Sequence, residues 1–271
     1  MSRQLQDTKG RISTSKISDA FSSKGKKAFI AYLMGGDPDL GMSRDLILAM
    51  ERAGADIIEI GIPFSDPIAE GEVIQRANIR ALSSYTDVDK LFDMVRSLKD
   101  EVKIPLLFMT YLNPVFRYGY DLFFKRCRES GISGVIFPDV PFEEQGEVLP
   151  FAERYQVEII TLIAPTSKTR IERAAKNARG FVYLVSSLGV TGIRSNIRTD
   201  IGTIVSEIRK HTDVPVAVGF GIHSPEQAAA VSKQADGIIV GSAIVRMIEE
   251  HGQDATEIVA EYVKTMKNAM E

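Results

Sequence analysis

From residue 28 onward, short apolar, β-branched runs alternate with longer stretches in which apolar residues recur every three or four positions. The short runs are AFIAYLM (28–34), DIIEIGI (56–62), PLLFMTY (105–111), GVIFPDV (134–140), EIITLIA (158–164), FVYLVSS (181–187), VPVAVGF (214–220) and GIIVGSA (237–243). Their hydrophobicity is nearly continuous, as in parallel strands covered on both faces. The stretches between them have helical period. In SRDLILAMERAG, Leu46, Ile47 and Met50 share one side and Gly54 marks a stop; Leu91, Met94, Val95 and Leu98 share a side in VDKLFDMVRSLKDEV. SPEQAAAVSKQAD opens with Ser224 as N-cap, Pro225 at the first helical position and Gln227 closing a capping box.

Strand–helix alternation repeated eight times predicts an α/β fold: a closed (β/α)8 TIM barrel, one domain over residues 1–271. An open doubly wound sheet is the competing architecture, but MGGDPDL after the first strand lacks the GxGxxG turn. Two connections are longer than a turn. PFSDPIAEGEVIQRANIRALSSYTD, after strand 2, carries an extra helix over EVIQRANIRAL; LGVTGIRSN, after strand 6, has the composition of a mobile lid. Both leave C-terminal strand ends, the face where barrel enzymes keep their chemistry. Residues 1–15 read as a polar, poorly ordered tail.

Charge narrows the function. With 33 basic and 36 acidic residues the net charge is −3, so no basic field marks a nucleic-acid or membrane surface. An anionic substrate must then be held locally, by backbone amides or one placed cation. The N-terminal stretch has no apolar signal core and no run is long enough to span a bilayer, so a soluble, cytoplasmic protein is expected. Cys127 is the single cysteine, on a predicted helix, where buried packing is the expectation. His211, His223 and His251 show no metal-ligand spacing, and no metal site is expected.

Glu59 stands among isoleucines inside DIIEIGI. Its side chain can point into the barrel or toward the helices; either way burial raises its pKa, suiting a group that gives and takes a proton. A buried ion pair with an Arg or Lys is the equal alternative. Glu70, in the loop above the same strand, can converge with Glu59 on one ligand. Asp66 is a third acid, read first as an Asx turn before Pro67, and Glu72 has no evident role. Gly219 and Gly221 end strand 7, and Gly241 and Ser242 end strand 8, each pair just before a helix. Open amides there form an anion site, the alternative being ordinary tight turns. GxSxG, HExxH, Walker A and dinucleotide motifs are missing. The residues alone thus lead to cofactor-free acid–base chemistry on a phosphorylated substrate.

Taken together, GGDP (35–38), GADIIEIGIPFSDPIAEG (54–71), GVIFPDVP (134–141), SSLGVTG (186–192), VGFGI (218–222) and DGIIVGSA (236–243) resemble the tryptophan synthase α subunit family. The resemblance implies retro-aldol cleavage of indole-3-glycerol phosphate to indole and D-glyceraldehyde 3-phosphate, in L-tryptophan biosynthesis. By the same resemblance Glu59 matches the acid–base that protonates indole C3, Glu70 the acid that holds the indole N–H, and Tyr183 a tyrosine beside the glutamate. Tyr32 takes an indole-pocket position that the family fills with Phe, and Asn78 lies in the helix over the site. Gly192, Gly219, Gly221, Gly241 and Ser242 match phosphate-binding backbone, and Thr191 the lid threonine. Pro63, Asp66, Asn113, Asp139 and Pro141 match positions facing a β subunit in an α2β2 heterotetramer. That partner carries pyridoxal phosphate; this chain needs no cofactor. Glu70 departs from the more familiar Asp, Glu72 from Pro, and Ser187 from the Arg of some relatives. Another phosphate-barrel isomerase or epimerase, or a weakly active α-type subunit that mainly activates its partner, are the competing functions.

Overall fold

The computed structural model describes residues 15–22, 27–165, 167–185, 201–219 and 221–271. Its strands are β1 (Ala28–Met34), β2 (Ile57–Gly61), β3 (Leu106–Met109), β4 (Ile132–Ile136), β5 (Glu158–Ile163), β6 (Val182–Val185), β7 (Val216–Gly219) and β8 (Gly237–Val240). They pair in parallel in sequence order, and β8 returns to β1, so the expected closed barrel is the one that forms. The helices are α1 (Lys16–Ala20), α2 (Leu40–Arg52), α3 (Glu72–Ser83), α4 (Val88–Ser97), α5 (Leu112–Tyr118) and α6 (Tyr120–Ser130). In the second half come α7 (Leu149–Tyr155), α8 (Lys168–Lys176), α9 (Ile201–Arg209), α10 (Pro225–Ser232), α11 (Ser242–His251) and α12 (Ala255–Asn268).

Side chains along each strand alternate between two cores, because a strand has a period of two. On β2, Ile58 and Ile60 join the outer core between strands and helices, with Leu33 and Phe108. Ile57 joins the inner core with Ile30, Leu107, Ile136, Ile160 and Phe181. Glu59 lies between the two outward isoleucines and so faces the barrel interior. At the N-terminal end α1 closes the inner core: Ile17 is buried there, and the Phe21 ring stands 5.6 Å from that of Phe181.

β4 differs from its expected span of 134–140, running from Ile132 to Ile136. Gly131, at φ 92°, ends α6 in the left-handed region and turns the chain directly into the strand. Beyond it, Phe137 and Val140 are buried in the outer core as loop residues, so the apolar run outlasts the strand. The other runs keep their places and, except for β1, lose residues at their ends. The extra helix after β2 is α3, and α10 carries its capping box. Cys127 is buried on α6.

One ion-pair network ties the barrel top together. Asp37, in the turn after β1, is fully buried. Its two oxygens accept from Arg80 of α3 at 2.7 and 2.8 Å. Arg80 also donates to Glu249 of α11 at 2.8 Å, and Arg76 grips the same carboxylate at 2.7 and 2.8 Å. Among the described residues no helix is long and apolar enough to cross a membrane.

Candidate active site

Glu59 sits in mid β2, paired in register with Tyr32 of β1 and Leu107 of β3. It is 0% exposed, and among the described residues neither carboxyl oxygen has a hydrogen-bond partner, nor does the ion pair offered as an alternative form. Burial alone pushes its carboxyl up to about 8, so at neutral pH it holds its proton.

Glu70 approaches from the β2–α3 loop. Burial raises it to about 7, with the Asn78 hydrogen bond pulling the other way. Asn78, buried on α3, donates to Glu70 Oε2 at 2.5 Å and to the Ile74 carbonyl at 3.2 Å. Its own carbonyl accepts from the Phe64 amide at 2.9 Å. Asn78 is therefore spent on shaping the loop and aiming Glu70, not left open toward a ligand. Tyr111, at the end of the strand 3 run, does similar work. Its hydroxyl accepts from the Ala69 amide at 3.0 Å, and its ring packs on Phe64 with centroids 5.5 Å apart. Sequence reasoning missed Tyr111; a polar-tipped aromatic closing an apolar strand was the available signal. Glu72 opens α3, where its charge favours the helix N-terminus.

Tyr183 faces inward on β6, stacked on Phe181 at 6.4 Å. Burial first, and then the Glu59 charge, raises its phenol well above the ordinary range. Tyr32 is raised in the same way, by burial first and then by the Glu70 and Glu59 charges. The barrel mouth opens on a cavity of about 350 Å³, lined by Ala69, Met109, Leu162, Tyr183, Val185 and the loop after β4.

On the opposite side Gly241 is the N-cap residue of α11, and no side chain among the described residues caps that helix. Its first amides, Ser242 among them, are open to an anion. α10 is different. Ser224 accepts from Gln227 N at 3.3 Å, and Pro225 brings no amide. Gly221, in a left-handed turn at φ 75°, and Gly219, whose added Cβ would come within 2.6 Å of the Tyr183 ring, bring backbone close without a free helix end. Thr191 and Gly192 lie outside the described residues.

At the rim, Asp66 and Asn113 are exposed, Asp139 and Pro141 half-buried, and Pro63 buried beneath them. Asp66 accepts from the Ser65 hydroxyl at 2.5 Å, and Asp139 accepts from the Leu112 amide at 3.0 Å, capping α5. Ile68, in the same loop as Asp66, is 81% exposed. Among the described residues no group of three or more His, Cys, Asp or Glu is placed to hold a metal.

The model of the family described as tryptophan synthase alpha chain matches residues 19–271. The tryptophan synthase alpha chain of Lacticaseibacillus casei is 44% identical over 257 residues, covering 95% of this chain and 96% of its own. That of Geobacillus stearothermophilus is 47% identical over 226 residues, 83% of this chain and 84% of its own. Among solved structures, tryptophan synthase subunit alpha of Legionella pneumophila superposes with TM-score 0.86 at 34% identity, over 94% of this chain and 98% of its own. A chain of tryptophan synthase from M. tuberculosis, in an aminoacrylate-bound form, gives 0.84 at 31% identity, over 95% and 100%.

Proposed function

The chain belongs to the tryptophan synthase alpha chain family, and from that membership and the site's geometry we propose how its residues divide the work. The reaction is the lyase step that splits indole-3-glycerol phosphate into indole and D-glyceraldehyde 3-phosphate. It needs no cofactor in this chain; pyridoxal phosphate belongs to the β subunit with which alpha chains form a complex.

Glu59 gives its proton to indole C3, which places positive character on the ring nitrogen. The Glu70 carboxylate accepts the indole N–H as that charge develops. Glu59, now ionised inside the barrel, takes the proton from the hydroxyl on the adjoining chain carbon. As the aldehyde forms, the carbon–carbon bond breaks and its electrons return to the ring. A carboxyl raised to about 8 suits both halves of this exchange, being protonated before the step and strongly basic after it. Tyr183 and Tyr32 wall the indole. Gly241 and Ser242, with Gly219, Gly221 and Gly192, receive the phosphate, and Thr191 is the lid threonine. Asn78 positions Glu70. Asp66, Asn113, Asp139 and Pro141 meet the β subunit, with Pro63 shaping the loop below.

We read the chain as one barrel domain, and a biosynthetic lyase of this kind fits a cytoplasmic location. The observation that carries the reading is the buried Glu59 carboxyl, turned into the barrel and without a hydrogen-bond partner among the described residues, with Glu70 on the loop that leaves the same strand. The test is spectrophotometric release of indole from indole-3-glycerol phosphate, alone and during titration with a cognate β subunit. Slow release that accelerates on complex formation is expected; isomerisation of the substrate without indole would point to a different phosphate barrel.

A further inference from the structure

Among the described residues, three buried side-chain polar atoms have no hydrogen-bond partner: the two oxygens of Glu59 and the hydroxyl of Tyr32. Elsewhere buried groups find partners across long stretches of chain, as Asp37 finds Arg80. An orphaned buried hydroxyl lowers stability, and native proteins keep few of them. Proton transfer accounts for Glu59. It does not account for Tyr32, whose ring could pack equally well as phenylalanine.

The position of the hydroxyl suggests its use. A Cβ at Gly241 would stand 3.3 Å from the Tyr32 ring, so one end of the side chain lies against the amides proposed for the phosphate. At the other end, the hydroxyl fills the place a Cβ on Gly61 would take. Gly61 is the next inward position along β2 after Glu59. Tyr32 thus lies between Gly241 at its Cβ end and Gly61, two residues beyond Glu59 on β2, at its hydroxyl end. A substrate with its indole at the carboxyls and its phosphate at α11 must lay its three-carbon chain across this residue. That chain carries two hydroxyl groups. The Tyr32 phenol stays protonated, because burial and the two nearby carboxyls oppose its ionisation, so it has a proton to donate.

We propose that the Tyr32 hydroxyl donates a hydrogen bond to a hydroxyl of the glycerol chain, making it the contact that selects a hydroxylated chain over a plain alkyl one. The inference rests on indole-3-glycerol phosphate occupying this pocket. The test is Tyr32→Phe, compared with the unaltered protein in complex with its β subunit, using two ligands. One is indole-3-glycerol phosphate; the other is indole-3-propanol phosphate, with the same ring and phosphate but no chain hydroxyls. The variant should lose about tenfold in kcat/KM for the first, the scale of one hydrogen bond. Its inhibition constant for the second should stay within about twofold. Its Tm should be no lower than that of the parent, since an unsatisfied group has been removed. An unchanged kcat/KM, or equal losses for both ligands, overturns the proposal while leaving the lyase reading intact. Failure of the unaltered protein to release indole would overturn both.

Discussion

Glu59 is held inside the barrel with no partner for either oxygen among the described residues, an arrangement that lowers stability once the group ionises. Its pKa is raised from an ordinary 4.5 to about 8 on folding. Between those values the folded protein keeps a proton that the unfolded chain releases. The stability contribution is therefore complete below about 4.5 and is lost as pH rises through about 8. Glu59→Gln cannot ionise and escapes that loss. Urea unfolding at pH 5 and pH 8 should show the variant close to the parent at the lower pH and more stable at the higher, by on the order of 4 kcal/mol. Parallel pH profiles would mean that Glu59 is not the buried titrating group. Glu70 is set by the Asn78 amide at 2.5 Å. Shortening it to Asp withdraws the carboxylate by about 1 Å, a shift that can cost on the order of a hundredfold. Glu70→Asp should lower kcat at saturating substrate, and Glu70→Ala should lower it further; a gain with Asp would mark a drifted position in a weak enzyme. The residue pattern left two directions open for Glu59. Only the split of Ile57 from Ile58 and Ile60 into separate cores resolves them.

At the scale of elements, α3 is the junction. It carries Asn78, which aims Glu70, and Arg80, which holds Asp37 in the turn after β1 and Glu249 on α11. Arg80→Met keeps the length of the side chain but leaves Asp37 buried without its cation. The expected loss is about 3–5 kcal/mol, with partial recovery when Asp37→Asn is added. Urea midpoints of the two variants check this; a loss below about 1 kcal/mol would show the pair to be replaceable. Strands and amphipathic helices were legible because burial on both faces, or on one stripe, writes itself into the order of residues. The network was not, since it joins positions 43 and 169 residues apart. α5 was hidden for a local reason: Pro114 reads as a breaker, but it falls in the first turn, where its missing amide costs no helical hydrogen bond. The glycines proposed for the phosphate were legible as a pair of turns. That α11 is open while α10 is capped by Ser224 emerges only from their hydrogen bonds.

Over the whole molecule, barrel closure brings together residues that the chain scatters from Tyr32 to Ser242. The inner core supplies a dry floor of Ile30, Ile57, Leu107 and Phe181, on which an acid can stay protonated at neutral pH. The loops at the C-terminal strand ends supply the second carboxyl, the proposed anion site and the rim proposed to meet the β subunit. The central claim is that one proton, carried by Glu59, breaks the carbon–carbon bond. Its most direct test is the rate of indole release by Glu59→Gln in the complex with a β subunit, with substrate affinity measured in parallel. The amide keeps the shape of the side chain but cannot deliver a proton. The predicted result is a fall in kcat of at least about a hundredfold with substrate still bound. Retention of more than about a tenth of the activity would assign the proton to another residue and contradict the account.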